Sequence, residues 1–177
     1  MYLVISCSLH ATSRSRLLAL EMLQRLEGDG RAVQLVDLRE WGLPLCDGEG
    51  CYADPRVQRL RGLIDAAAGI VIATPIYNYD VSAAAKNVVE LTGKAWSHKV
   101  VGLVCAAGGP VSYMAAMGLI GSLMLDFRTF VLPNFVFATG KSFDATDRVI
   151  DEKVEERLNR LARTLVRVTE ALRPPAP

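Results

Sequence analysis

Five short apolar runs alternate with five longer stretches of helical character, and this alternation constrains the fold more than any other feature of the chain. Residues 2–6 (YLVIS), 33–36, 70–73, 100–105 and a stretch within 130–137 are apolar nearly throughout, not at every second position. Strands buried on both faces of a parallel sheet read this way. A helix is expected after residue 15 to about 27, with Leu17, Leu18, Leu20, Leu23 and Leu26 as its apolar stripe and Gly28 and Gly30 as its stop. Further helices are expected over 55–67, opened by Pro55, and over 83–91, 112–125 and 151–172. A strand followed each time by a helix implies right-handed crossovers in a three-layer α/β/α sandwich. Five parallel strands suit the order 2-1-3-4-5, which places ligands at the carboxyl ends of the strands. Thr74-Pro75 is expected to end the third strand, residues 76–80 to form a loop, and Pro133 to mark an edge or bend in the fifth. The chain reads as a single domain over 1–173 with a flexible tail at 174–177. Its 177 residues suffice to bury about 70% of the unfolded surface without staples.

Composition removes several function classes. With 51% hydrophobic and 22% charged residues the chain is not disordered. Twenty Lys and Arg against 19 Asp and Glu leave a net charge of +1, which speaks against nucleic acid as a partner. Cys7, Cys46, Cys51 and Cys105 form no C-x-x-C pair, and His10 and His98 lie far from them, so no metal site is expected. The thiols are read as reduced, in a cytoplasmic protein. The N-terminus lacks the basic segment of a signal peptide. The uncharged run 100–125 is long enough to suggest a membrane span, but Gly108-Gly109-Pro110 interrupts it. It reads instead as a strand, a tight loop and a buried helix, with no membrane as partner.

Three loops follow strands that this topology brings together. The first, residues 8–15, holds Ser8, Thr12, Ser13 and Ser15 as hydroxyl donors and His10 and Arg14 as cations, and it opens a helix. Helix-start amides and the dipole favour a phosphate there, and Arg grips two oxygens at once. Plain helix capping is the simpler alternative, but one cap needs one hydroxyl. The loop is neither a G-x-x-x-x-G-K-[ST] nor a G-x-G-x-x-G sequence, which disfavours ATP and a direct Rossmann site. The second, Thr74-Pro75-Ile76-Tyr77-Asn78-Tyr79, can hold a planar ring or form a turn capped by Ser82. The third, Ala106-Ala107-Gly108-Gly109-Pro110, has two glycines that let a ring approach the backbone or simply turn the chain.

With these segments, residues 1–170 resemble the NADPH-dependent FMN reductase family of flavodoxin-like proteins. Cys7-Ser8-Leu9-His10-Ala11-Thr12-Ser13 is similar to the family's G-S-x-R-x-x-S, departing at Cys7 and at His10, where Arg14 replaces the lost charge. Thr74, Pro75, Tyr77, Lys86 and Asn87 match T-P-x-Y-x-x-x-x-x-x-x-x-K-N, the most specific piece. Within the family the chain most resembles reductases that supply reduced FMN to sulfonate monooxygenases. The resemblance implies FMN as cofactor, with Ser8, His10, Thr12, Ser13, Arg14 and Ser15 around its phosphate. Pro75, Ile76, Tyr77 and Asn78 would line the isoalloxazine, with Gly108 and Gly109 on its other side. It also implies NADPH or NADH as hydride donor, a homodimer or homotetramer, and a partner monooxygenase or a small-molecule acceptor such as a quinone or free flavin. Hydride passes from nicotinamide C4 to flavin N5 between rings stacked at about 3–3.5 Å, so no catalytic acid or base is expected. Two other readings stay open at this point: a flavodoxin-type electron carrier without its own NAD(P)H oxidation, and an α/β protein with a dead site.

Overall fold

The computed structural model describes residues 1–172, so the expected tail at 174–177 lies outside them. The elements run β1 (Tyr2–Ser6), α1 (Arg14–Gly28), β2 (Val33–Asp37), α2 (Pro55–Ala66), β3 (Gly69–Tyr77), β4 (Asp80–Val81), α3 (Ala83–Thr92), β5 (Val100–Ala107), α4 (Met117–Phe127), β6 (Phe130–Val131), β7 (Val136–Thr139) and α5 (Glu152–Ala171). Short 3-10 turns fill the loop between β2 and α2 and lead into α4. The sheet order is β2-β1-β3-β5, with β6 and β7 both on the outer edge of β5. All pairings are parallel except β4 against β3.

The expected flavodoxin-like order is present, but the sheet has seven strands, not five. Two local events account for the difference. The fifth expected strand is split: Phe130–Val131 and Val136–Thr139 pair with opposite ends of β5, and Pro133 lies in the gap. The third strand does not stop at Thr74-Pro75. It continues to Tyr77, with Pro75 opposite Ala106 of β5. The Ala73 carbonyl accepts from Cys7 N, beyond the last residue of β1, so Pro75, facing the same side two residues on, loses no ladder bond for want of an N–H. Residues 76–81 are a hairpin rather than an open loop: Ile76 and Tyr77 pair with Val81 and Asp80. Its two turn residues, Asn78 and Tyr79, have φ of 50° and 65°, the geometry of a type I′ turn.

Alternate residues of each strand feed two separate cores. Leu3, Ile5, Ile70, Ile72 and Leu103 face α2, α3 and α4 through Leu60, Ile64, Val88 and Leu123. Tyr2, Val4, Val71, Val104 and Val136 face α1 and α5 through Leu18, Met22, Leu158 and Leu165. The stripe of α1 is displaced from expectation: Leu18, Ala19, Met22 and Leu26 are buried, whereas Leu20 and Leu23 are half-exposed. Ala19 and Met22 complete the i, i+3, i+4 spacing that Leu alone does not. The expected buried helix at 112–125 is also corrected. Leu119, Ile120 and Leu123 are buried, but Val111, Met114, Met117, Met124 and Leu125 are exposed. Helix α5 cannot cover them, because it lies on the opposite face of the sheet beside α1, where Arg25 Nε donates to Asn159 Oδ1 at 2.9 Å.

Candidate functional site

The carboxyl ends of β1, β3 and β5 meet in a cleft of about 480 Å³, walled by the loop after β1, the end of β3, the end of β5 and a turn around Asp147. Ser82 ties these strand ends together. Its Oγ donates to the Cys7 carbonyl at 3.0 Å and accepts from Ala85 N at 3.3 Å, capping α3, while its own N–H reaches the Pro75 carbonyl at 3.1 Å. The end of β1 is thus fixed against β3 before the first loop begins.

That loop presents an open helix start. Ser13 is the N-cap of α1, yet its Oγ pairs with Ser15 Oγ at 2.8 Å and makes no cap bond. The amides of Arg14 and Ser15 have no acceptor among the described residues, and the first turn of α1 contains no acid. Unpaired amides and the positive end of the dipole therefore face the cleft, an arrangement that suits an anion. Arg14 also lines the cleft. Its guanidinium lies 5.8 Å from the centroid of the Phe143 ring and against the backbone of Gly140, where an added Cβ would sit 2.8 Å from Nη1. Arg14 itself is exposed at the cleft, with the Phe143 ring and Gly140 as its neighbours.

Of the loop's other expected members, His10, Thr12, Ser13 and Ser15 line the cleft, and Ser8 does not. Ser8 is buried, and its Oγ accepts from His10 N at 3.2 Å, shaping the loop from beneath. The ring of His10 folds back, so that Nδ1 accepts from Thr12 N at 3.2 Å. His10 thus closes the turn of the loop.

Pro75 and Tyr77 line the opposite wall, with Tyr77 exposed. Ile76 points into the core, and Asn78 belongs to the hairpin turn outside the cleft wall. Gly108 lines the cleft and Gly109 does not. Lys86 and Asn87 turn away from it. Lys86 pairs with Glu90 at 2.9 Å, and Asn87 clamps the long loop before α2, accepting from Cys46 N and donating to the Pro44 carbonyl, both at 2.9 Å.

Ala106 and Ala107, from the third segment, also wall the cleft, as does Asp147, which was not anticipated. Ala106 and Ala107 extend β5 two residues past its expected end. Asp147 adopts φ of 62° in a turn organised by Asp144, whose carboxylate accepts from Thr146 N, Thr146 Oγ1 and Arg148 N at 2.8, 2.7 and 3.0 Å. These bonds, the one from Arg148 N first, hold Asp144 well below the usual carboxylate range. The only sequence signal was the Asp144-Ala145-Thr146 turn, which says nothing of where the turn packs. Beneath the floor, burial pushes the Cys105 thiol up to about 12 and the Cys7 thiol higher still. Neither is a nucleophile at neutral pH. Among the described residues, no group of His, Cys, Asp and Glu is placed to hold a metal ion.

The open helix start beside Arg14 and the strip between Pro75–Tyr77 and the Ala106-Ala107-Gly108 backbone face the same cleft. Comparison with known proteins bears on the same region. The family model described as NADPH-dependent FMN reductase matches residues 2–144. An NAD(P)H-dependent FAD/FMN reductase of Geobacillus thermodenitrificans is 31% identical over 144 residues, covering 80% of this chain and 77% of its own. An NADPH:quinone oxidoreductase of Arabidopsis thaliana is 30% identical, with 77% and 74% covered. Among solved structures, a flavoenzyme NAD(P)H:(acceptor) oxidoreductase of Paracoccus denitrificans superposes with a TM-score of 0.76 at 22% identity, covering 96% of this chain and 97% of that one.

Proposed function

The chain belongs to the NADPH-dependent FMN reductase family, and we propose that its cleft binds FMN with the phosphate at residues 10–15 and the ring between Pro75, Tyr77 and Gly108. It is an oxidoreductase that uses NAD(P)H to reduce FMN. One observation carries the placement: the uncapped start of α1, with free amides at Arg14 and Ser15, opens into the same cleft as the strip at the ends of β3 and β5. When bound, FMN supplies the hydride-accepting ring, and the protein supplies position and electrostatics. Ser13, Ser15, the α1 amides and Arg14 bind the phosphate. Pro75 and the Ala106-Ala107-Gly108 backbone orient the ring. Tyr77, 55% exposed, stands at the mouth of the cleft where a nicotinamide enters. No side chain is assigned to move a proton.

Free flavin, a quinone or a partner monooxygenase receives the electrons in this reading, the quinone being the acceptor named for the Arabidopsis relative. The protein works in the cytoplasm, consistent with four free thiols, and self-associates through α4. Steady-state oxidation of NADPH and of NADH with varied FMN tests the reading. Saturable dependence on added FMN marks FMN as a substrate that leaves, and turnover of a quinone without added FMN marks it as resident. Flavin binding with no NAD(P)H oxidation would instead leave an electron carrier.

A further inference from the structure

Cys46 and Cys51 take no part in the cleft, yet the fold brings them together. Their sulfurs are 3.9 Å apart, and Tyr52 Oη is 3.5 Å from Cys46 Sγ. The loop that carries them is built to this geometry. Asp47 Oδ1 accepts from Glu49 N at 2.9 Å and Cys51 N at 3.1 Å, while Asn87 fixes the backbone of Cys46 and Pro44 to α3. The two thiols differ in access. Cys51 is buried, and burial together with the Asp47 carboxylate pushes its thiol up. Cys46 is half-exposed and opens into a groove of about 500 Å³ between α3 and α4.

We propose that Cys46 and Cys51 are a peroxide-oxidised dithiol that closes to an intramolecular disulfide. The Cys46 thiolate attacks one oxygen of hydrogen peroxide, becoming a sulfenic acid and releasing hydroxide, which takes up the thiol's proton as water. The Cys51 sulfur then attacks the sulfenic sulfur; an S–S bond forms, the S–O bond breaks, and a second water leaves with the Cys51 proton. Two thiols lose two electrons and two protons, and one peroxide becomes two waters. The sulfurs need to approach by roughly 2 Å to reach bonding distance. Cys46, half-exposed and open to the groove, is the attacking sulfur, and the buried Cys51 is the resolving one. Hydrogen peroxide is also what dioxygen yields on reoxidising reduced flavin, so the proposed function is itself a source of the oxidant. Closure fastens the loop at 44–52, already clamped by Asn87, into one covalent ring.

The test uses the intact wild-type protein, stoichiometric hydrogen peroxide, quenching, alkylation under denaturing conditions and trypsin. Both cysteines fall in the peptide of residues 40–56, which contains no internal Lys or Arg. The expected product is that peptide two hydrogens lighter and unalkylated, with alkylable thiols falling from four to two. The pair should be lost at least about tenfold faster than Cys7 and Cys105, which burial keeps protonated. Cys51→Ser should leave a sulfenic acid at Cys46 that dimedone traps, and Cys46→Ser should leave Cys51 alkylable. Two alkylable cysteines in the wild-type peptide after peroxide, or a disulfide found only between chains, would overturn the proposal. Because peroxide is added directly, the outcome does not depend on whether FMN occupies the cleft.

Discussion

Arg14 brings a guanidinium to the cleft beside the open start of α1, while the ring of His10 is turned back onto Thr12. A charge-assisted hydrogen bond is worth about 1.5–3 kcal/mol. Arg14→Ala should therefore weaken FMN by roughly 10–150-fold. Riboflavin, which lacks the phosphate, should lose much less. Fluorescence-quenching titrations of both flavins check this, and equal losses would place the phosphate elsewhere. Gly140→Ala should reproduce part of the effect from a distance, because a Cβ there meets Nη1 at 2.8 Å and displaces the guanidinium. Asp47 gives a pH signature. Its carboxyl is lowered to about 2 from an ordinary 3.8 by hydrogen bonds, the Cys51 side chain first, then Glu49 N and Cys51 N. A depressed folded value means stabilisation present above about pH 4 and lost as pH falls towards 2. Asp47→Asn should lower Tm at neutral pH, and the difference from wild type should close over that acid window in scans at stepped pH. Ser13, Arg14 and Ser15 were legible in sequence because a strand end, a polar loop and a helix start are local features. Asp147 was not, because a turn 40 residues after β5 reaches the cleft only through packing that no local pattern records.

Among the elements, β3 shows how a local rule yields to its surroundings. Proline stops a strand where its missing N–H costs a bond, and at Pro75 β1 has already ended, so the strand runs on and folds into the hairpin through Asn78 and Tyr79. The sequence offered a tyrosine-rich loop there without the glycine that usually announces a type I′ turn. At its other end, β3 begins at Gly69, directly under α5. A Cβ at this position would sit 2.7 Å from Thr169 Oγ1 and 3.0 Å from the Tyr2 ring. Gly69→Ala should therefore cost about 1–3 kcal/mol by overpacking. Thr169 Oγ1 is itself buried without a hydrogen-bond partner among the described residues. Thr169→Ala removes a methyl group, worth about 0.8 kcal/mol when buried, together with that unpaired hydroxyl. Alone it should be neutral or stabilising. Combined with Gly69→Ala it should recover most of the loss, the Tyr2 contact limiting full rescue. Urea denaturation of the four proteins closes the cycle, and additivity within about 0.5 kcal/mol would mean that the two sites do not touch.

For the molecule as a whole, the order of the central strands and the three layers follow from one repeated fact, an apolar run followed by a helix. The strand count did not follow, since splitting the last strand at Pro133 and adding β4 depend on edges that only the assembled sheet defines. The outer face of α4 is the other global feature, and it argues for self-association. Val111, Met114, Met117, Met124 and Leu125 are between 46% and 81% exposed along one continuous stretch. A lone soluble chain rarely leaves so many large apolar side chains together. Among the described residues no element is left to cover them, because α5 packs on the far side of the sheet with α1. A second copy presenting the same face satisfies both surfaces at once. Light scattering at micromolar concentration should therefore give a dimer or tetramer. Met117 is 46% exposed near the middle of this face, with Leu119 and Ile120 holding the helix to its own core. Met117→Glu should thus leave the fold intact and place a carboxylate in the contact. An unpaired charge in such a contact costs about 3–5 kcal/mol. The dissociation constant should rise at least about 100-fold, moving the population to monomer at a concentration where wild type remains assembled. A wild-type monomer at micromolar concentration, or a Met117→Glu oligomer of undiminished affinity, would show that α4 is not the contact.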